Sequence, residues 1–235
     1  MARVLVLTGG PDHAHDFSAL GAALTWVIAG GGHEIVDVLD HPDVAAERLG
    51  SDDVDVLAVN ALRWRMLDDR YAPWRDRWGY HTPEATRRAI SDFVAAGGGL
   101  FGNHTASICF DDWPEWGDVL GGAWSWGHSS HPPPASVTVV VGERSGNRHP
   151  VTASLPSEFF VEDEVYGDLE LRPGIDPLAH ARRTADDELQ PIVWAHRFGK
   201  GRVVYDGLGH DARSLNQQDH VRLIRGAVDW VAGAC

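Results

Sequence analysis

Apolar residues come in short unbroken runs that stop at glycines, and the stretches between the runs have helical spacing. Residues 3–8 form the first run and end at Gly9-Gly10, which predicts a strand buried on both faces. Phe17, Leu20, Leu24, Val27 and Ile28 then recur at helical intervals, so residues 17–29 read as a helix stopped by Gly30-Gly31-Gly32. Residues 33–39 alternate and predict a second strand. Residues 54–59 predict a third, closing on Asn60. Thr82-Pro83 has the form of an N-cap followed by proline at the first helical position. The helix it opens is expected to run to about Ala96, with residues 100–102 as a fourth strand.

Strands alternating with helices predict a doubly wound, mostly parallel sheet with helices on both faces and right-handed crossovers. After Gly121-Gly122 the pattern turns β-rich. Residues 137–141 read as a strand, and residues 191–197 and 202–206 flank Phe198-Gly199-Lys200-Gly201 as a hairpin with a four-residue loop. A helix over residues 217–231 closes a single domain spanning 1–235. Residues 61–82, rich in Trp and Arg, are a long insertion between the third strand and its helix, of a length that is often functional.

The bulk numbers narrow the function classes. At 235 residues and 43% hydrophobic, the chain can bury a large core, and no apolar run approaches the length of a membrane span. The first apolar run is too short for a signal peptide, so a cytoplasmic protein with no membrane partner is expected. A formal charge of −14 argues against a nucleic-acid partner and favours a neutral substrate. The two cysteines, Cys109 and Cys235, imply neither a disulfide scaffold nor a thiolate metal site, and Cys109 is expected inside a helix and inert. No P-loop or GxGxxG pattern occurs, so no nucleotide cofactor is expected.

The 13 histidines are placed unevenly. In open parallel sheets ligands bind beyond the carboxyl ends of the strands. Three of the four exits legible here carry histidine: His13 and His15 after the first strand, His104 after the fourth, and His210 after the last. Gly102-Asn103-His104-Thr105-Ala106 puts small residues two before and two after His104, as a sharp strand-to-helix turn with a strained centre requires. An imidazole there serves as a metal ligand or general base, or else as a structural group bonding the turn. In Glu162-Asp163-Glu164-Val165-Tyr166, three acids stand beside apolar neighbours, so one acid can be a ligand or proton carrier. Strand alternation would put Glu162 and Glu164 on one side and Asp163 on the other. Gly209-His210-Asp211 allows close backbone approach to a ligand.

Other histidines are weaker candidates. His128 and His131 have His-x-x-His spacing in a proline-bounded loop, a poor metal signal by itself. His149-Pro150 marks a turn, and His33, His41, His180, His196 and His220 read as ordinary. Trp64, Trp74, Trp78, Trp113, Trp116, Trp124 and Trp126 lie around the exits, where they can stack on sugar rings or pack a lid.

An ordered set of segments resembles the ThuA-like (trehalose utilisation) family of the class I glutamine amidotransferase-like superfamily. It runs from Val4-Leu5-Val6-Leu7-Thr8-Gly9-Gly10 with His15 and Phe17, through residues 97–106, Trp113-Pro114-Glu115-Trp116 and Leu120-Gly121-Gly122, to His128 and His149-Pro150-Val151-Thr152. Asp163-Glu164-Val165-Tyr166, Pro191-Ile192-Val193-Trp194, residues 199–205 and Gly209-His210-Asp211 complete it. The resemblance implies a flavodoxin-like three-layer fold with extra β structure, a role in sugar metabolism on oxidised (keto) glycosides, and a metal or acid–base site on His15, His104, His128, Glu164 and His210. His104 stands where true amidotransferases carry the elbow cysteine, so thioester chemistry is not implied.

Residues and resemblance together place catalysis on His104, Glu164, His210, Asp211 and Tyr166, with His104, Glu164 and His210 as metal ligands. Substrate contacts fall to His15, Asn60, Trp126, His128 and Trp113. Nitrogen and carboxylate donors fit zinc, manganese, iron or nickel. The expected activity is isomerase- or lyase-type proton abstraction from a neutral carbohydrate. A non-catalytic carbohydrate-binding or regulatory domain and a metal-dependent hydrolase are the alternatives. Folds of this kind commonly associate, so a homo-oligomer is a further expectation.

Overall fold

A computed structural model describes residues 1–51, 53–142 and 148–234; Cys235 lies outside them. Residue parity decides its layers. In β1 (Arg3–Gly9), Val4 and Val6 face one core while Leu5 and Leu7 face another. β3 (Val56–Ala61) repeats this with Val56 and Ala58 against Leu57 and Val59. Both faces are therefore covered, which is why these strands read as continuous apolar runs.

On the first face lie α1 (Phe17–Ala29), burying Leu20, Leu24, Val27 and Ile28, and the closing helix over Gln218–Val231, burying Leu223, Ile224, Ala227 and Val228. Asp16 caps α1 by accepting from the Ala19 amide at 2.9 Å. On the second face lie α2 (Pro42–Leu49), α4 (Glu84–Ala96) and α5 (Trp116–Leu120). The short α3 (Ala72–Trp78) sits within the Trp- and Arg-rich insertion.

The remaining strands are β2 (Glu34–Leu39), β4 (Gly99–Asn103), β5 (Gly122–Ala123), β6 (Ala135–Val141), β7 (Glu158–Asp163), β8 (Glu170–Leu171), β9 (Asp176–Ala181), β10 (Gln190–Phe198) and β11 (Gly201–Asp206), and the last helices are α6 (Ala212–Leu215) and α7 (Gln218–Val231). Among the described residues, nine strands form one sheet in the order β2-β1-β3-β4-β11-β10-β9-β6-β7, and β5 pairs with β8 apart from it. The half from β2 to β11 is parallel; from β11 to β7 every pairing is antiparallel. The fold is thus the doubly wound, mostly parallel three-layer type with an added antiparallel region. Its strand order reverses between β1 and β3, the topological switch point where such sheets bind ligands.

Four local expectations need correction. Phe198 pairs directly with Gly201, so the hairpin loop is Gly199-Lys200 alone, with Gly199 at φ +59°. A two-residue connection matches strand twist better than the predicted four. Thr82 does not cap α4; its hydroxyl donates to Asp112 at 2.7 Å, and the helix starts at Glu84. Cys109 lies beyond a 3₁₀ turn rather than in a helix, its thiol donating to the Ala61 carbonyl and pushed up to about 12 by burial. Glu162 and Glu164 do not share a side: β7 ends at Asp163, Glu162 is exposed, and the turn after the strand carries Glu164 inward.

Gly226 fixes how closely α7 approaches the 3₁₀ turn Pro150–Thr152. A Cβ there would lie 2.5 Å from the Val151 carbonyl oxygen. Alanine normally gains about 0.5–1 kcal/mol over glycine inside a helix. Here the clash reverses the sign, and Gly226→Ala is expected to lose about 1–3 kcal/mol. Urea unfolding checks this; a raised midpoint would refute the close approach.

Candidate functional site

Four chain segments converge at the carboxyl edge of the parallel strands. His15 comes from the loop after β1, His104 from the turn after β4, His210 from the loop after β11, and Glu164 from the residue following β7. The His104 and His210 ring centroids are 5.8 Å apart, those of His15 and His104 5.1 Å, and those of His15 and His210 4.7 Å. One nitrogen from each of the three can be chosen so that all lie within 4.8 Å of one another.

The turn at His104 is built for this. His104 has φ +43°, a left-handed conformation that a histidine adopts only under constraint. Tyr205 supplies it: its hydroxyl donates to the His104 carbonyl at 2.9 Å and lies 3.0 Å from Ser107 Oγ, while its ring stacks on Trp194. Trp116 Nε1 ties down the same turn by donating to the Ala106 carbonyl.

Backbone carbonyls fix the imidazole tautomers. His104 Nδ1 lies 2.8 Å from the Gly207 carbonyl and His15 Nδ1 lies 3.1 Å from the His210 carbonyl. A carbonyl only accepts, so each Nδ1 carries the proton. Burial, helped by the neighbouring His104, takes the His15 pKa down to about 3, so this ring is neutral with a bare lone pair on Nε2. This is how metal-ligating histidines are usually held. His104 Nε2, Glu164 Oε2 and His210 Nδ1 are all buried, and none makes a hydrogen bond. Glu164 Oε2 stands 3.7 Å from His104 Nε2 and 3.2 Å from His210 Nδ1. Ligand atoms on one tetrahedral zinc ion are separated by about 3.4 Å, given bonds of roughly 2.0–2.1 Å. The donors fit a divalent ion in kind, and the two Glu164 distances fall on either side of that spacing.

Electrostatics agree with this arrangement. Burial alone would raise the Glu164 carboxyl, but contacts with His104, His131 and His210 outweigh it and hold the group well below the usual carboxylate range. Burial would lower His210, but Glu164 outweighs that effect and raises it. Glu164 also raises His131, whose Nδ1 is 3.2 Å from Glu164 Oε1. The Tyr166 ring packs 4.3 Å from that of His104, and burial, reinforced by Glu164, pushes its phenol far up, so it stays protonated.

A cavity of about 310 Å³ opens over this cluster, lined among others by His13, His15, Trp64, Trp126, His131 and Tyr166. A larger one of about 540 Å³ lies by β6 and Arg182–Arg183, but no histidine lines it, so the smaller one is where chemistry can occur.

A buried polar network holds the loop whose carbonyls orient the rings. Asp163 accepts from the amides of Gly209 at 2.7 Å and His210 at 3.0 Å, and from the Ser214 hydroxyl. His220 Nδ1 is 3.0 Å from that hydroxyl, and its Nε2 is 2.8 Å from Asp206 Oδ2. Asp206 Oδ1 accepts from the Leu208 amide, and Asn103 donates to the Leu208 carbonyl.

Of the residues selected from sequence, the structure brings His15, His104, Glu164, Tyr166, His210 and Trp126 together. Four lie elsewhere. Trp113 is buried against Phe110 and Trp116; Asn60 is buried and donates to Asn103; His128 is exposed; Asp211 caps α6 and pairs with Arg213. None of these four lines the cavity. Sequence reasoning ranks His131 only as a weak candidate and reads His220 as ordinary. His220 did leave a signal, standing three and four residues before Leu223 and Ile224 on the apolar face of α7.

The family model for trehalose utilisation, ThuA, matches residues 3–231, and the chain belongs to this family. No match is found among curated protein sequences. A ThuA-like protein from Parabacteroides merdae superposes with a TM-score of 0.77 at 19% identity, covering 99% of this chain and 90% of its own. A cytoplasmic protein from Salmonella typhimurium gives 0.65 at 14% identity, covering 97% and 99%. A β-galactosidase from Halorubrum lacusprofundi gives 0.60 at 16% identity over 99% of this chain and 30% of that enzyme. These likenesses establish the fold; the family match associates the chain with sugar metabolism. Among the described residues no helix is long and apolar enough to cross a membrane.

Proposed function

We propose that the chain is an enzyme acting on a keto-glycoside or related neutral carbohydrate by proton abstraction beside a ring carbonyl, with a divalent metal ion held by His15, His104, His210 and Glu164. The observation that supports this reading is the convergence of three buried atoms that make no hydrogen bond and face one another, His104 Nε2, Glu164 Oε2 and His210 Nδ1, beside a His15 ring held neutral. Such an ion supplies Lewis acidity that polarises a carbonyl and stabilises developing negative charge.

The chain's own residues account for the proton. With four donors committed, His13 and His131 are the imidazoles left on the cavity wall, and His131, whose Nδ1 lies 3.2 Å from Glu164, is the one at the cluster that acts as base. It takes the proton from the carbon next to the carbonyl. The C–H electron pair becomes the new C=C bond, and the carbonyl π pair moves to oxygen, where the Tyr166 phenol donates a hydrogen bond. When that pair re-forms the carbonyl, either water protonates the same carbon on its opposite face, giving the epimer while the proton on His131 passes to the hydroxide left behind, or the C–O bond one carbon further breaks and the leaving oxygen takes the proton from His131.

Elemental analysis of the purified protein is expected to give about one zinc, manganese, iron or nickel ion per chain, falling below about a tenth in Glu164→Gln. Chelation should remove solvent-deuterium exchange into a keto-glycoside, and adding metal back should restore it. Full exchange in metal-free protein would overturn the metal assignment. No exchange under any condition would overturn the reaction.

A further inference from the structure

β6 is paired along one side and only at its end on the other. Ala135 to Val140 all run beside β7, whereas pairing with β9 covers only Val140 with His180 and Val141 with Ala179. The two chains then part. The cavity of about 540 Å³ fills the gap, with β6 on one wall and Arg182–Ala185 on the other. We infer that this gap is a docking groove for an extended acidic peptide of a partner protein, which adds a strand to the free edge of β6.

The backbone calls for an extended occupant. Successive residues of an antiparallel strand turn their amide and carbonyl groups to alternate sides. The Val141 amide donates to the Ser157 carbonyl, continuing the β6–β7 register, at 2.9 Å. The Gly142 amide donates to the Leu178 carbonyl on the β9 side at 3.2 Å. Odd-numbered residues of β6 therefore bond β7, and even-numbered ones face β9. The backbone groups of Ser136 and Thr138 thus point into the cavity, where among the described residues no strand pairs with them. Such an edge is a template for one more strand, whose main chain supplies the missing partners.

The walls set the side chains. Arg183 is already compensated, by Asp168 at 2.6 Å and Asp187 at 3.1 Å. Arg182 is exposed and donates to the Asp187 carbonyl, and among the described residues no carboxylate pairs with it. Asp163, the acid of the lining, is buried and accepts from the Gly209 and His210 amides. The open charge of the groove is therefore positive, on a chain whose formal charge is −14. A carboxylate on the added strand matches it. Val137 and Val165 line the same groove, with Leu189, 42% exposed, to cover the alternate side chains. The groove backs onto the imidazole cluster, since Pro132 and Pro133 follow His131, and Asp163 and Val165 flank Glu164.

A terminally blocked heptapeptide of alternating valine and glutamate is the probe, titrated by calorimetry into the whole chain. It is expected to bind. Lysine in place of every glutamate, or N-methylation of the probe's backbone amides, should each weaken binding about tenfold or more. Arg182→Glu, a change on the exposed wall, should reverse the preference for glutamate over lysine. Amide exchange followed by NMR should find Ser136 and Thr138 fast in the free protein and slowed about tenfold or more by the probe. Failure of the glutamate probe to bind, or equal binding of the lysine probe, overturns the acidic partner. Equal binding of the N-methylated probe, or Ser136 and Thr138 amides that are slow beforehand or unslowed afterwards, overturns strand addition. An Arg182→Glu variant that keeps the wild-type preference overturns the groove as the binding site.

Discussion

His104→Gly is expected to lose at least a hundredfold in turnover while the protein stays folded. The loss follows from His104 supplying one of the unpartnered nitrogens facing Glu164. Removing one of four donors weakens the hold on an ion whose charge stabilisation is worth several kcal/mol in such reactions. Retained folding follows from the backbone. At φ +43° an L-residue with a Cβ carries about 1–2 kcal/mol of left-handed strain, which glycine relieves. That gain offsets part of the packing lost with a fully buried ring. Turnover and urea unfolding, measured on one preparation, separate the two effects. A folded variant with wild-type turnover would remove His104 from the mechanism.

His220→Ala should give the largest loss of stability, about 3–5 kcal/mol, because it strands a buried Asp206 without its partner. Asp206 also holds the Leu208 amide, so the loop bearing the Gly207 and His210 carbonyls loosens, and metal affinity is expected to fall by about 10–100-fold. The pH dependence has a definite sign. Burial lowers the His220 pKa, but Asp206 outweighs it and raises the group above its ordinary 6.5. The folded state therefore binds the extra proton, so this contribution is complete below about 6.5 and is lost as pH rises through the higher folded value. The share of the alkaline fall in stability owed to His220 should disappear in the variant. An unchanged profile, or unchanged stability, would show the pair to be uncharged or dispensable.

The parallel half of the fold was legible because β1, β3 and β4 are buried on both faces and leave unbroken apolar runs. β7 and β9 were not. β7 alternates Glu158, Phe160 and Glu162 outward, with acids that mimic a solvated loop, and β9 opens on Asp176-Pro177, a pair disfavoured in strands. α2 was missed because only four of its eight residues are buried. At the site, the strand-exit rule located His15, His104 and His210, since chain direction alone carries those residues to one edge. His131 follows no strand of the main sheet, and its ring reaches Glu164 only through the fold of a proline-bounded loop, which spacing does not encode. Trp113 misled because tryptophan near a strand exit serves packing as readily as stacking.

The four donors stand at positions 15, 104, 164 and 210 of a chain of 235. During synthesis the first imidazole is made long before the last, and no stretch shorter than residues 15–210 contains the set. A growing polypeptide therefore presents isolated histidines rather than a chelate. On the proposed reading, selective capture of an ion waits until residue 210 has emerged and β11 has docked beside β4.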